Sequence, residues 1–112
     1  MLKTPSGKLR ARGLNLPFDG EPGPLNAITD IAGVEVGYRT LIRGEPTCAP
    51  GQGPVRTGVT AVFPRGRAHA NVPVFAGMFT QNGCGEMTGS HWIGEVGRCE
   101  GPITLTNTHS FG

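Results

Sequence analysis

The stretch "VPVFAGMF", residues 72–79, most constrains what this chain can fold into. Strand alternation sends Val72, Val74, Ala76 and Met78 to one side and Phe75 and Phe79 to the other. Both sides are apolar, so this segment reads as a strand that needs cover on both faces. Fold class then depends on whether the remaining sequence supplies that cover.

Other strands are legible. In "NAITDIAGVEVGY" (26–38), Val34, Val36 and Tyr38 alternate with Glu35 and Gly37, and Asp30 to Gly33 read as the preceding turn. Leu41–Ile42 form an apolar pair before a loop, "RGEPTCAPGQGPVR" (43–56). "TGVTAVFP" (57–64) alternates again and stops at Pro64, which suits a strand end. "RGRAHAN" (65–71) is an exposed connection, and "PITLTNTHS" (102–110) places Ile103 and Leu105 between threonines, a further strand.

Helical spacing is confined to one place. After Gly85, Trp92, Ile93 and Val96 recur at helical intervals, Trp92 is the expected anchor, and Gly97 is placed to end the helix. Gly89 and Gly94 would each cost about 1 kcal/mol inside it, so packing must hold it. One short helix cannot cover two faces of a sheet. The strand inventory therefore predicts an α/β (α+β) layered fold in which either residues 1–112 are an incomplete piece of a larger domain or a partner chain supplies the remaining layer, with residues 1–24, rich in proline, as an extended arm.

Composition narrows the partners. The net charge of +2 is too small for a nucleic-acid footprint, and the cluster Lys3, Lys8, Arg10 and Arg12 reads as a solvated, mobile terminus. No apolar run reaches the ~18 residues of a membrane span, and the basic start lacks the apolar segment of a secretory signal. Nineteen glycines and ten prolines are spread between apolar runs, as in turn-rich β structure. Cys48, Cys84 and Cys99, an odd count without CxxC, suit reduced thiols in the cytoplasm. They share no short ligand spacing with His69, His91 or His109, so neither a metal nor another cofactor is expected.

Chemistry concentrates in "NGCGEMTGSHWIGEVG" (82–97). Gly83 and Gly85 begin a dinucleotide-like pattern, but the third glycine falls one residue late, at Gly89, and no acid follows at the required distance. None of Ser6, Ser90 and Ser110 lies in a G-x-S-x-G elbow, and adjacent Ser90 and His91 point apart on a helix. Glu86 reads first as an acid in the first helical turn, favoured there by the helix dipole. Glu86, Thr88, Asn107 and His109 remain as candidate pocket-lining residues, the last two at a strand end of the kind that borders pockets.

Taken together, "RARGLNLPFDGEPGPLNAITDIAGVEVGY", "TGVTAVFP", "VPVFAGMFTQNGCGEMTGSHWI" and "GPITLTNTHSFG" resemble the start of the L-aminopeptidase/D-esterase family, which includes the β-peptidyl aminopeptidases. The resemblance covers nearly the whole chain in order. The family pattern reads G-N-G-E-M-T-G, and Cys84 stands in place of its asparagine.

The resemblance implies the N-terminal part of a four-layer αββα sandwich resembling N-terminal-nucleophile hydrolases. It implies a longer proenzyme that cuts itself before a serine, whose freed residue becomes the nucleophile. The implied substrates are small peptides, amides or esters, and the implied partners are the missing C-terminal part of the same proenzyme and further copies in a homo-oligomer. The nucleophile and the oxyanion-hole asparagine fall beyond residue 112, so no catalytic residue is assigned here and residues 1–112 alone are expected to be inactive. Gly89–Ser90 lies in a different motif and is not read as the processing bond. The alternatives are a non-catalytic binding or scaffold module and an acyltransferase of the same fold.

Overall fold

The structure, a computed structural model, describes residues 2–45 and 53–107. The chain divides into two compact units, residues 1–34 and 35–112.

In the first unit, the segment expected to be an extended arm is folded locally. Lys3 bridges Leu9, closed by Thr4 N–H donating to the Lys8 carbonyl at 2.8 Å, and a short 3-10 helix spans Ala11–Leu14. Two of the four clustered cations are engaged internally. Arg10 donates to the carbonyls of Leu25, at 2.7 Å, and Asn26. Arg12 donates to those of Phe18, Asp19 and Gly20 and lies 5.4 Å from the Phe18 ring centroid. The guanidinium forks replace the backbone hydrogen bonds that a proline-rich segment cannot make for itself.

The same unit carries a carboxylate clasp. A second 3-10 helix spans Ile28–Asp30. Asp30 accepts the amide hydrogens of Leu25 at 2.9 Å and Ala27 at 3.0 Å. These bonds, Ala27 first and then Leu25, lower its pKa. Gly23 lies so close that a Cβ there would stand 2.6 Å from the Asp30 carboxyl carbon.

The second unit is built on a three-stranded antiparallel sheet of order β1–β2–β5. β1 (Glu35–Arg43) and β2 (Val55–Phe63) pair along their full lengths, from Glu35 opposite Phe63 to Arg43 opposite Val55. β1 runs past the expected end at Tyr38 and absorbs Leu41–Ile42, because the pairing continues to Arg43. Residues 46–52, within the expected loop, lie outside the described residues. Gly58 permits the close approach of the two strands: a Cβ there would meet the Arg39 carbonyl oxygen at 2.6 Å. β5 (Ile103–Leu105) pairs with β2 through Thr60–Leu105, Ala61–Thr104 and Val62–Ile103. Thr106 Oγ1 extends the join by donating to the Gly58 carbonyl at 2.9 Å.

Residues 72–79 depart from expectation. Only Val74–Phe75 form a strand, β3, paired with β4 (Arg98–Cys99). A strand extends only as far as its partner. β4 is bounded by Gly97 and Gly101, both left-handed with φ of 65° and 78°, and Pro73 offers no amide hydrogen. Two bonds hold the turn: Ala76 N–H to the Gly97 carbonyl at 2.9 Å and Gly101 N–H to the Ala70 carbonyl at 2.7 Å.

The helix α1 (Ser90–Val96) is shorter than the stretch from Gly85 suggested; its N-cap, Gly89, is left-handed at φ 87°. Gly97 closes it as expected, its amide donating to the Ile93 carbonyl at 2.8 Å. Ile93, 6% exposed, is the one buried large side chain among the described residues, whereas Phe75 is 89% and Phe79 is 88% exposed. Fully burying a side chain of this kind is worth about 1.5–3 kcal/mol. The second unit therefore has the outline of an α+β layer and almost none of its core.

Candidate functional site

The loop before α1, the reversal after it and the end of β5 enclose a cleft of about 630 Å³. Its lining takes in the loop from Gly85 to Gly89 with Trp92 and Ile93, then Cys99, Glu100 and residues 102–107, together with Val59. The loop is shaped by Asn82, whose Oδ1 accepts the Cys84 amide hydrogen at 2.9 Å, and by Ser90 N–H donating to the Met87 carbonyl at 3.2 Å. These short-range bonds let a glycine-rich segment leave β structure and enter the helix without a long connection.

Three of the sequence-derived candidates come together here. Glu86 and Thr88 line the cleft from the loop and Asn107 from just past β5, all exposed. His109 lies outside the described residues. The first reading of Glu86 is corrected: α1 begins at Ser90 and has no acid in its first turn, so the helix dipole does not account for Glu86. Ser90 and His91 are not among the residues lining the cleft.

Sequence reasoning did not single out Glu100, Cys99 or Val59 for this cleft. The first two arrive only because Gly97 and Gly101 turn the chain back against α1, and Val59 because β5 pairs with β2. The left-handed glycines were the available signal, since glycine is the residue that adopts that conformation freely. Among the described residues, Glu86 and Glu100 are the carboxylates of the lining, which holds no serine, histidine, lysine or arginine. Its hydroxyls and thiol are those of Thr88, Thr104, Thr106 and Cys99. No group of three or more His, Cys, Asp or Glu is placed to hold a metal among the described residues. No helix among them is long and apolar enough to cross a membrane.

Such a cleft, largely apolar with a few polar groups beside a strand end and a tight strand-to-helix loop, has the character of a small-molecule site. Comparison with known proteins makes the class specific. The profile of peptidase family S58 matches residues 26–112, and the chain belongs to that family.

Among curated relatives, the beta-peptidyl aminopeptidase BapA of Sphingosinicella microcystinivorans is 59% identical over 103 residues. That alignment takes in 92% of this chain and 26% of that protein. The protein of the same name from Sphingosinicella xenopeptidilytica is 52% identical over 103 residues, 92% of this chain and 25% of its own length. The chain thus spans about a quarter of the length of these relatives.

Among solved structures, the L-aminopeptidase D-Ala-esterase/amidase of Ochrobactrum anthropi superposes with a TM-score of 0.75 at 53% identity, covering 89% of this chain and 27% of that one. It is described as a prototype of the serine aminopeptidases and a variant of the Ntn hydrolase fold. The PH0078 protein of Pyrococcus horikoshii OT3 gives a TM-score of 0.76 at 44% identity, covering 89% of this chain and 29% of that one. The expected fold class and family are therefore those found.

Proposed function

We propose that residues 1–112 are the N-terminal part of a self-processing serine aminopeptidase, which removes the first residue from small peptides, amides or esters. The observation that carries this reading is the family match over residues 26–112 together with 59% identity to one quarter of a β-peptidyl aminopeptidase. In the complete enzyme, a serine outside this chain, freed at its own α-amine by self-cleavage, attacks the substrate carbonyl. The resulting acyl-enzyme is then hydrolysed. The cleft's composition supports this division of labour, since among the described residues its lining offers no serine, histidine or lysine to act as nucleophile or base.

Glu86, Thr88, Asn107 and His109 are assigned to the lining of the substrate pocket. Exposed Phe75 and Phe79 are assigned to contact with the remainder of the proenzyme. Assembly as a homo-oligomer and residence in the cytoplasm complete the proposal; the free thiols of Cys84 and Cys99 support the latter.

The test compares two purified proteins: residues 1–112 alone, and a chain extended to the length of the relatives. Intact mass should resolve the longer protein into two pieces, and only that protein should hydrolyse an aminoacyl p-nitroanilide. Hydrolysis above background by residues 1–112, or a longer protein that stays in one piece and is inert, would overturn the proposal.

A further inference from the structure

The loop that forms one wall of the cleft carries a second kind of chemistry. We propose that Asn82 is a site of spontaneous deamidation, through attack of the Gly83 backbone nitrogen on the Asn82 side chain, and that this converts the loop to a more acidic form.

Several observations meet at this dipeptide. Asn82 and Gly83 are both exposed and lie outside regular secondary structure, so solvent reaches the amide and no strand or helix bond must break for the loop to move. Gly83 carries no Cβ to obstruct ring closure, and the space where one would stand is empty to 4 Å. Its backbone also has the widest conformational freedom of any residue. Finally, the Cys84 amide hydrogen is donated to Asn82 Oδ1 at 2.9 Å. That bond identifies the oxygen side of the carboxamide, draws electron density from Cγ, and meets the negative charge that develops on this oxygen when Cγ becomes tetrahedral.

The step balances with water as the co-reactant. The Gly83 nitrogen gives its proton to solvent and bonds to Asn82 Cγ. The bond from Cγ to the side-chain nitrogen breaks, and that nitrogen takes a proton and leaves as ammonia. The five-membered succinimide then opens by addition of water at either carbonyl. One opening yields aspartate; the other yields isoaspartate, in which the main chain runs through the former side-chain carbon.

Either product adds a negative charge just ahead of the Gly85–Gly89 segment of a cleft whose lining carboxylates, among the described residues, are Glu86 and Glu100. The isoaspartate also lengthens the main chain ahead of Cys84 and removes the geometry of the Asn82–Cys84 bond. The chemistry is independent of the peptidase reading.

The same chain supplies internal controls. Asn15, Asn26, Asn71 and Asn107 are each followed by a residue with a Cβ: Leu16, Ala27, Val72 and Thr108. The 112-residue chain is incubated in mildly alkaline buffer and sampled by peptide mapping with mass detection, with isoaspartate assayed by its methyltransferase. Conversion at Asn82 should outpace each control by at least about tenfold, the rate equivalent of ~1.4 kcal/mol in barrier. Gly83→Ala should slow it by a similar factor; the open space at Gly83 admits the methyl group, so a changed rate does not reflect a misfolded loop. Conversion at Asn82 no faster than at Asn15, Asn26, Asn71 and Asn107, or unchanged by Gly83→Ala, would overturn the proposal.

Discussion

Phe75 stands directly opposite Arg98 across the β3–β4 pair, with the guanidinium carbon 5.6 Å from the ring centroid and the ring itself 89% exposed. Cation–π contacts at exposed sites contribute about 0.5–1 kcal/mol. That is less than the ~1.5–3 kcal/mol released when such a ring is buried. Arg98 accompanies Phe75 without sheltering it, and the rest of a larger fold has most to gain at this position.

Phe75→Ala accordingly has two different expected effects. In residues 1–112 alone the loss should be no more than about 0.5–1 kcal/mol, the size of the exposed cation–π contact. In the full-length enzyme it should cost about 3 kcal/mol or more, the value for a large aromatic removed from a core. Hydrogen exchange of the β3 and β4 amides in both pairs makes the comparison, and equal effects would place Phe75 on a true surface.

Asp30 makes a pH-dependent prediction. Its carboxylate accepts the Ala27 and Leu25 amide hydrogens, which holds its folded pKa below its ordinary value. A depressed carboxylate pKa contributes stability that is fully present above the unfolded pKa of about 3.9 and is lost as pH falls through the lower, folded value. Protection of the Leu25 and Ala27 amides against hydrogen exchange should follow that course. Asp30→Asn should weaken it across the neutral range and abolish its acid dependence.

Gly58→Ala should strain the β1–β2 hairpin, because its Cβ would lie 2.6 Å from the Arg39 carbonyl oxygen. That oxygen is backbone within a paired strand and has no rotamer by which to retreat. A loss of at least about 1 kcal/mol is expected, read as faster amide exchange along both strands. The substitution Gly77→Ala, with open space around it, serves as the control.

In the full-length enzyme, Thr88→Ala and Asn107→Ala should raise KM by about threefold to tenfold with a smaller effect on kcat, the pattern of lost substrate binding rather than lost chemistry. Steady-state kinetics on an aminoacyl p-nitroanilide distinguish this from a kcat loss, which would place either residue at the reacting atoms.

Particular residues show which parts of the fold were legible in advance. Trp92, Ile93 and Val96 at helical spacing with Gly97 behind them announced α1, since both signals are local. The strand ends were less visible: β1 reaches Arg43 because β2 lies opposite, and β3 stops at Phe75 because β4 is only two residues long. Pairing partners are not written in a strand's own alternation. The 3-10 helices at Ala11–Leu14 and Ile28–Asp30 are accompanied by side-chain hydrogen bonds that Arg10 and Arg12 donate and Asp30 accepts, which no periodicity records. For the cleft, the glycine-rich loop pointed to Glu86 and Thr88, whereas Glu100 depended on a chain reversal around two left-handed glycines.

The central claim is that residues 1–112 are one layer of a larger fold, with the apolar segment 72–79 awaiting cover. The most direct measurement is urea unfolding of the isolated 112-residue chain, followed by hydrogen exchange at residues 72–79. The account predicts a shallow, non-cooperative transition and little protection at Val74, Phe75 and Phe79, and both should change to a sharp transition with strong protection in the full-length protein. A sharp transition in the isolated chain, with those amides strongly protected, would contradict it.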